Sequence, residues 1–349
     1  MNNKKFNLIS IWVITGTLAV LTGLLLIFFI AFTGSLSSPH DDVTYGKYYV
    51  LITDNPGSSF WQSVYSSALE EAKEQDAYVE MIAENLSGDY AMTDLMEMAI
   101  AARADGIIVT AGEADGMTEL IEKAYKAGIP VITLLNDNTN SERLSFVGVG
   151  NYNLGKEYGK LIIDMANFRE YAGETIDVTV LLDAGSEDSG QNVLAAAIQE
   201  AIEKDIPDAV GRHKPIAISL EAVDASNNFS VEESVRKLFV SGKENIPDII
   251  VCLNENDTNS VYQAVVDYNE VGRVNILGYY DSDAILKGIE RDVIRATLSI
   301  DTGQLGRYCI DALTEYYETG NTSQYFTADS YVIDKTNVGE YRKGEQHDQ

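Results

Sequence analysis

The feature that most constrains the fold of this chain is an alternation, from Lys47 onward, of short apolar runs with longer amphipathic stretches. The clearest unit is ADGIIVTAGEADGMTELIEKAYKAGIPVITLL, residues 104–135. Its predicted strand ends at Thr110, and Gly128 stops the following helix before Pro130 opens the next strand. Strand–helix–strand units of this size form parallel sheets with right-handed crossovers. The pattern therefore predicts an α/β fold.

The alternation runs through two similar halves, without a strict sequence repeat. The order predicts two doubly wound parallel-sheet lobes. Strands are predicted at residues 48–53, 78–83, 106–110, 130–135, 144–150, 177–183, 215–223, 248–254, 274–280 and 295–300. Helices are predicted near residues 60–75, 90–103, 115–127, 154–168, 190–204, 230–241, 257–270 and 303–319.

The loops that follow the strands are the candidate functional segments, because open parallel sheets bind ligands beyond the carboxyl ends of their strands. These loops are rich in Asp, Asn and Ser. The same residue types cap helices, so capping is the alternative interpretation of each one. The loops are residues 54–61, 110–115, 136–138, 183–192, 224–228, 254–257, 280–283 and 301–304.

The first of these loops, DNPGSSFW at residues 54–61, ends in two adjacent aromatic residues. A solvent-facing loop has no use for Phe60 and Trp61 side by side. Two interpretations remain open at this point. The rings either close the top of the core above the first helix, or a flat ligand docks against them.

The N-terminus predicts a membrane anchor. Lys4 and Lys5 precede residues 8–32, which contain no charged residue. At ~1.5 Å per residue this stretch exceeds the ~30 Å hydrocarbon core of a bilayer. We expect a cytoplasmic stub at residues 1–7, an uncleaved transmembrane signal anchor at 8–32, a polar tether at 33–46 and an extracytoplasmic remainder. A cleaved signal peptide is the alternative.

Composition and motifs exclude several classes of function. The net charge of −29, from 54 acidic against 25 basic residues, would repel a phosphate backbone, so no nucleic-acid partner is expected. Two cysteines and three histidines form no metal-ligand pattern. No GxGxxG follows the first strand, and no P-loop or GxSxG elbow occurs. We therefore expect neither an enzyme nor a cofactor.

Six stretches carry a resemblance to a known family. They are VLITDNPGSSFWQSVYSSALEEAKE, ADGIIVTAGEADGMTELIEKAYKAGIPVITL, VGVGNYNLGKEYGKLI, PDIIVCLNENDTNSVYQAV, VNILGYYDSDAILKGIERDVIRATLSIDTGQLG and YVIDKTN. In them the chain resembles the ribose- and galactose-type periplasmic solute-binding proteins of type 1 fold, which is shared with lactose-repressor-like sensor domains. The resemblance covers residues 47–335.

The resemblance implies how the chain is divided. Three crossings near residues 148–151, 300–303 and 325–329 would join two lobes, with a ligand in the cleft between them. The first lobe would contain residues 47–148 and 303–325. The second would contain residues 149–300 and 328–335, followed by a polar tail at 336–349.

The resemblance also implies binding residues. Phe60 and Trp61 occupy the place of the aromatics that stack on a sugar, and Asn254 matches the family's amide. The family's Asp-Arg pair after the fourth strand is absent, and so is a second Arg, so the pocket loses cations and keeps acids. The predicted ligand-binding residues are Asp54, Ser58, Phe60, Trp61, Thr110, Asn136, Asp137, Asn192, Asn227, Asn254, Tyr280, Asp281 and Asp301.

Three classes of function compete for such a chain: a solute-binding protein, an enzyme, which the missing catalytic motifs disfavour, and a repressor-type transcription regulator. The resemblance favours a membrane-tethered extracytoplasmic solute-binding protein that captures a small polar ligand, a sugar or a polyol. It would present that ligand to a membrane sensor histidine kinase or to the permease of an ABC importer. A degenerate domain of the same fold, with a non-sugar ligand or none, is the alternative. A repressor-type regulator is disfavoured, because its DNA-binding helices would have to replace the apolar N-terminus.

Overall fold

The computed structural model describes residues 44–88, 90–110, 116–168, 175–184, 189–209, 214–225, 227–240 and 246–342, with residues 16, 22, 23 and 25 before them. The predicted stub, nearly all of the predicted anchor at 8–32 and most of the tether lie outside these residues. Among the residues that are described, no helix combines the length and the apolar character needed to cross a membrane. Met1–Tyr45 and Gly46–Gln349 form separate compact units, and the second contains both sheets.

The strands of this second unit form two six-stranded sheets. In chain order they are β1 Lys47–Ile52, β2 Ala77–Met81, β3 Gly106–Val109, β4 Val131–Leu134, β5 Ser145–Val149, β6 Ile176–Asp183, β7 Ile216–Val223, β8 Ile249–Val251, β9 Asn275–Tyr279, β10 Ile294–Ile300, β11 Tyr325–Ala328 and β12 Ser330–Asp334. The first sheet has the order β11-β5-β4-β3-β1-β2, and the second has β12-β10-β9-β8-β6-β7. The two parallel-sheet lobes predicted from the sequence are confirmed.

The helices lie between the strands, as the alternation predicts. They are α1 Ser59–Glu74, α2 Met92–Ala101, α3 Met117–Lys126, α4 Asn151–Phe168, α5 Ser189–Ala209, α6 Asn228–Val240, α7 Glu255–Asp267, α8 Asp283–Glu290, α9 Thr302–Thr319 and α10 Val338–Tyr341. A 3₁₀ turn, Ile82–Asn85, follows β2. The last helix falls within the predicted polar tail, and residues 343–349 of that tail lie outside the described part.

The chain passes from one sheet to the other three times, after β5, after β10 and after β11. The third passage explains why β12 pairs antiparallel with β10 although the other pairs are parallel. Only Asp329 separates β11 from β12, so the chain keeps its direction. Strand β11 runs parallel to β5, so the chain leaves the first sheet at the edge where its parallel strands end. It enters the second sheet at the corresponding edge, so β12 must run antiparallel to β10.

Hydrogen bonds join the second and third passages side by side. The Asp301 N–H donates to the Asp329 carbonyl over 2.9 Å. The Gln304 side chain accepts from the Asp329 N–H at 2.9 Å and donates to the Asp329 carboxylate at 2.9 Å. Asp301 and Gln304 lie at the start of α9, so this helix is fastened to the last passage between the lobes.

Helix α1 is held closely against α9. A Cβ atom added at Gly306 would lie 2.5 Å from the Val64 carbonyl oxygen and 2.6 Å from the Ala68 nitrogen. Only glycine allows two helix backbones to approach this closely. The Ser63 and Thr302 hydroxyls are also hydrogen-bonded over 2.7 Å. The loop that carries the paired aromatics therefore leads into a helix whose position is fixed by packing.

Candidate functional site

A cavity of about 830 Å³ lies between the two lobes, at the carboxyl ends of the strands. Cavities of this size hold small organic molecules. Residues from the segments after β1, β2 and β4 form one wall, and residues from the loops after β6, β7 and β8 form most of the other. The predicted binding residues that line the cavity are Asp54, Ser58, Phe60, Trp61, Asn136, Asn227 and Asn254.

The remaining predicted binding residues lie outside this lining. Asp137 forms a bidentate ion pair with Arg143, in which Nη2 and Oδ2 are 2.7 Å apart. Asp301 caps α9 by accepting from the Gln304 N–H at 2.8 Å. The others outside it are Thr110 and Tyr280, which are buried, Asp281, which is half-buried, and Asn192, which is exposed.

The two aromatics differ in burial, although both line the cavity. Phe60 is 6% exposed and belongs to the main hydrophobic core. Its ring meets Trp61 edge-on at 5.1 Å between centroids and Tyr280 edge-on at the same distance. Trp61 is half-buried and packs against the rim of that core. Phe60 thus closes the core as well as facing the cavity, and Trp61 presents the more accessible ring.

Several lining residues are helix caps, as the alternative interpretation of the loops predicts. Ser58 Oγ accepts from the Trp61 N–H at 3.2 Å, and Asn227 Oδ1 accepts from the Ser230 N–H at 3.0 Å. Asn254 Oδ1 accepts from the Asp257 N–H at 2.8 Å, and its amide donates to Asp257 Oδ2 at 2.8 Å. A cap at the end of a strand therefore both begins a helix and faces the cavity.

Among the described residues, the acids that line the cavity are Asp54, Asp183, Glu255 and Asp257. None of the described lining residues is Lys, Arg or His. Of the four, only Asp54 was among the predicted binding residues, although the predicted loops contained the others. The sequence signal for two of them was NEND at 254–257, which also looks like an ordinary helix start.

Asp257 is the most deeply buried of these acids, with 1% of its surface exposed. Its Oδ1 atom is buried and has no hydrogen-bond partner among the described residues. Burial raises the pKa of Asp257 to about 7; the Asn254 hydrogen bond opposes the shift and the Asp183 charge adds to it. Desolvation within the cavity also raises the pKa of Asp54, even though this side chain still reaches solvent there.

Glu255 joins the two walls of the cavity. It opens α7 in the second lobe and is 9% exposed. Its Oε1 accepts from the Ser59 hydroxyl at 2.7 Å, and its Oε2 accepts from the Phe60 N–H at 3.2 Å. A carboxylate at this place satisfies the free N–H of the first turn of α1 and complements the positive end of the helix dipole. The acid of one lobe thereby caps a helix of the other.

Two α/β lobes with three passages between them and a polar cavity in the cleft define a two-lobe ligand-binding protein. The family described as "Periplasmic binding protein domain" matches residues 49–322, and the chain belongs to this family.

A curated relative and several solved structures resemble the chain. The ABC transporter periplasmic-binding protein YphF of Escherichia coli (strain K12) is 24% identical over 281 residues, which cover 76% of this chain and 77% of that protein. The XylFII molecule is 24% identical with a TM-score of 0.67, covering 83% of this chain and 98% of its own. An ABC transporter solute-binding protein from Agrobacterium vitis with bound D-fucose is 16% identical with a TM-score of 0.70, covering 84% and 97%. These similarities extend across both lobes.

Proposed function

We propose that this protein is an extracytoplasmic solute-binding protein that holds a small polar ligand, a sugar or a polyol in size and hydroxyl content, in the cleft between its lobes. The observation that carries the proposal is the cavity itself, which is lined by the half-buried Trp61 together with amides and acids. An aromatic ring takes up the C–H face of a sugar, while carboxylate and amide groups pair with its hydroxyls. Relatives of this fold with bound D-fucose and α-D-tagatopyranose support this ligand class.

The ligand contacts are proposed to come from both lobes. Asp54, Ser58, Trp61 and Asn136 would supply them from the first lobe. Asn227 and Asn254 would supply them from the second lobe, where Asn254 has already committed hydrogen bonds to Asp257. Each polar group that the ligand leaves unpaired in a closed cavity would cost about 1–3 kcal/mol, so binding selects molecules that match this lining.

The protein is proposed to present its ligand to a membrane partner. The name of the YphF relative supports the permease of an ABC importer as that partner. The XylFII–LytSN complex, 23% identical with a TM-score of 0.67, supports a second protein as the receiver, and a sensor histidine kinase is the class we favour. Neighbouring genes distinguish the two, since an importer needs permease and ATPase genes and a sensor pathway needs a kinase and a response regulator.

The predicted anchor at residues 8–32 is proposed to hold the protein at the cell membrane, with the N-terminus inside. The support is the uncharged apolar stretch after Lys4 and Lys5. Mass analysis of the chain recovered from membranes tests it. We expect an intact N-terminal region, and a mature chain that begins between Ala31 and Asp41 would show cleavage instead.

A thermal-shift screen tests the binding function. The purified full chain in detergent is heated with monosaccharides, polyols, nucleosides and amines at saturating concentration. A ligand at 100 times its dissociation constant stabilises the folded state by about 2.7 kcal/mol, which a melting curve resolves. We expect at least one hydroxyl-rich class to raise the melting temperature. If a folded protein responds to none, the alternative of a degenerate domain replaces the proposal.

A further inference from the structure

We infer that the ligand of this cavity combines hydroxyl groups with a protonated amine, so that it is an amino sugar or an aminopolyol rather than a neutral sugar. This inference rests on the proposed function and narrows its ligand class. The starting observation is that acidic side chains line the cavity from both lobes, while none of the described lining residues carries a positive charge.

The acids lie where the lobes meet. Asp54 belongs to the loop after β1 in the first lobe, and Asp183 ends β6 in the second. Desolvation is the main reason why the pKa of Asp54 and the pKa of Asp257 are raised, and the Asp183 charge raises both further, so Asp183 repels one acid on the opposite wall and one on its own wall. Like charges enclosed together are strongly unfavourable in a site shielded from water. A positive charge between the walls removes that cost, and a neutral hydroxyl does so only in part.

Asp257 supplies the independent observation. Its side chain is almost completely buried, it lines the cavity, and its Oδ1 has no hydrogen-bond partner among the described residues. A buried carboxylate oxygen without a donor is costly, and charge-assisted donors satisfy it best. An ammonium group carries three donors and a full charge. Among its described residues the site therefore lacks a charged hydrogen-bond donor for Asp257 Oδ1, and an amine would provide one.

The positive charge that these acids would bind is assigned to an organic amine and not to a metal ion, because of how the described residues are arranged. No three or more of their His, Cys, Asp or Glu side chains converge closely enough to hold a metal ion. Phe60, Trp61, Tyr90 and Tyr279 line the same cavity. Aromatic rings near carboxylates are the usual environment for an ammonium group, because the ring faces attract a positive charge.

Glu255 does not contribute to this binding, because the Ser59 and Phe60 donors already occupy its two oxygens. The amine is therefore assigned to the neighbourhood of Asp257, where the charges of Asp183 and Asp54 add to the negative potential of the cavity. The hydroxyl groups are left to the amides of the second lobe and to the first loop.

The test compares matched pairs of probes on the full chain by calorimetry at pH 8. The pairs are glucamine with glucitol and D-glucosamine with D-glucose, with N-acetyl-D-glucosamine as a neutral control of similar shape. An aliphatic amine such as glucamine stays protonated at this pH. We expect at least one amine to bind about tenfold or more tightly than its neutral partner. Asp257→Asn should remove most of that preference.

A control variant separates the effect of a charge at the cavity from the effect of the net charge of the protein. Asp292→Asn also removes one negative charge, but Asp292 is exposed and pairs with Lys335 away from the cavity. This variant should retain the full preference. If Asp257→Asn does not fold, Asp54→Asn serves in its place and should reduce the preference in the same direction.

The outcomes distinguish this inference from the proposed function. Neutral probes that bind as well as their amine partners overturn the inference and leave the solute-binding proposal intact. An amine preference that survives both Asp257→Asn and Asp54→Asn also overturns it. Folded protein that binds neither amine also overturns the inference, and the thermal-shift screen then decides the solute-binding proposal separately.

Discussion

The two walls of the cavity differ in chemistry. Of the described lining residues, the first lobe contributes the aromatic residues Phe60, Trp61 and Tyr90 and the acid Asp54. The second lobe contributes three acids and most of the amides, with Tyr279 as its aromatic residue. The comparison teaches that recognition is divided: one wall suits the flat apolar face of a ligand, and the other suits its polar and charged groups. Four predictions test this division, from the largest expected effect to the smallest.

Phe60→Ala should destabilise the free protein by about 3–5 kcal/mol, because Phe60 is a buried member of the core as well as a lining residue. Phe229→Ala is the matched control. Phe229 is 72% exposed, so its loss should cost no more than about 0.5 kcal/mol. Denaturant titration of the full chain measures both. A loss below about 1 kcal/mol for Phe60→Ala would assign its ring to the cavity alone.

Trp61→Ala should weaken ligand binding by about tenfold or more, while the stability of the free protein changes by no more than about 1 kcal/mol. The reason is that Trp61 is half-buried at the cavity wall, whereas Phe60 fills the core behind it. One melting curve and one titration of the variant decide the matter. Collapsed stability with unchanged affinity per folded molecule would make Trp61 a core residue and remove the aromatic wall.

The free protein should become less stable as the pH rises from 5 to 8, in a way that depends on Asp257. Folding raises the pKa of this group to about 7, so its protonated form is favoured in the folded state. That contribution is present at low pH and is lost as the pH rises through the folded value. The Asp183 carboxylate and the Cys252 thiol are its titratable neighbours, and Asn254 donates to it.

The measurement is the melting temperature of the wild type minus that of Asp257→Asn at each pH. This difference should decrease by a few °C over the range, the size of effect that about 1 kcal/mol produces. Glucamine, if it binds, should bind more tightly at pH 8 than at pH 6, because it needs the ionised carboxylate. A difference that stays flat, with pH-independent binding, would show that Asp257 remains ionised throughout.

Glu255→Gln should weaken the hydrogen bonds that join the second lobe to Ser59 and Phe60 of the first lobe. Its effect on the free energy of unfolding should be the smallest of the four. The charge that complements the α1 N-terminus is lost, which is worth about 0.3–1 kcal/mol. Since the Gln amide NH2 replaces one of the two acceptor oxygens, either the Ser59 hydroxyl or the Phe60 N–H loses its acceptor. The free protein should populate an open form more often, with a larger radius of gyration in small-angle scattering. Ser59→Ala, which removes one of the two bonds, should be intermediate, and unchanged radii in both would contradict the expectation.

Much of the fold could be predicted because the alternation of buried strands and amphipathic helices is visible in the hydrophobic pattern of short stretches of sequence. Strands such as β3 and β4 are buried along their whole length and read as continuous apolar runs. Helix α8 was missed because it is short, and β11 and β12 were missed because they are largely exposed edge strands that the pattern does not mark. The antiparallel direction of β12 depends on the passage between sheets, which is a long-range property.

The candidate site could be predicted only to the level of loops. The carboxyl-edge rule indicated the correct segments, because it follows from strand direction alone. It could not tell which polar side chains are engaged elsewhere. Asp137 is paired with Arg143, and Asp301 caps a helix, through contacts that only the folded chain determines. Glu255 was passed over because its partners, Ser59 and Phe60, lie in the other lobe.

The hydrogen bonds between Asp301, Gln304 and Asp329 have a mechanical consequence. They fasten two of the three passages between the lobes into one strip. Two parallel connections that cannot slide past each other resist twisting, and they leave bending about a line across the strip as the easy motion. The cleft would then open along one coordinate, so a ligand would enter and leave through the same side of the molecule each time. Gln304→Ala would remove the two side-chain hydrogen bonds to Asp329 and would allow the lobes to twist as well as to bend. Gln304 is not one of the residues that line the cavity.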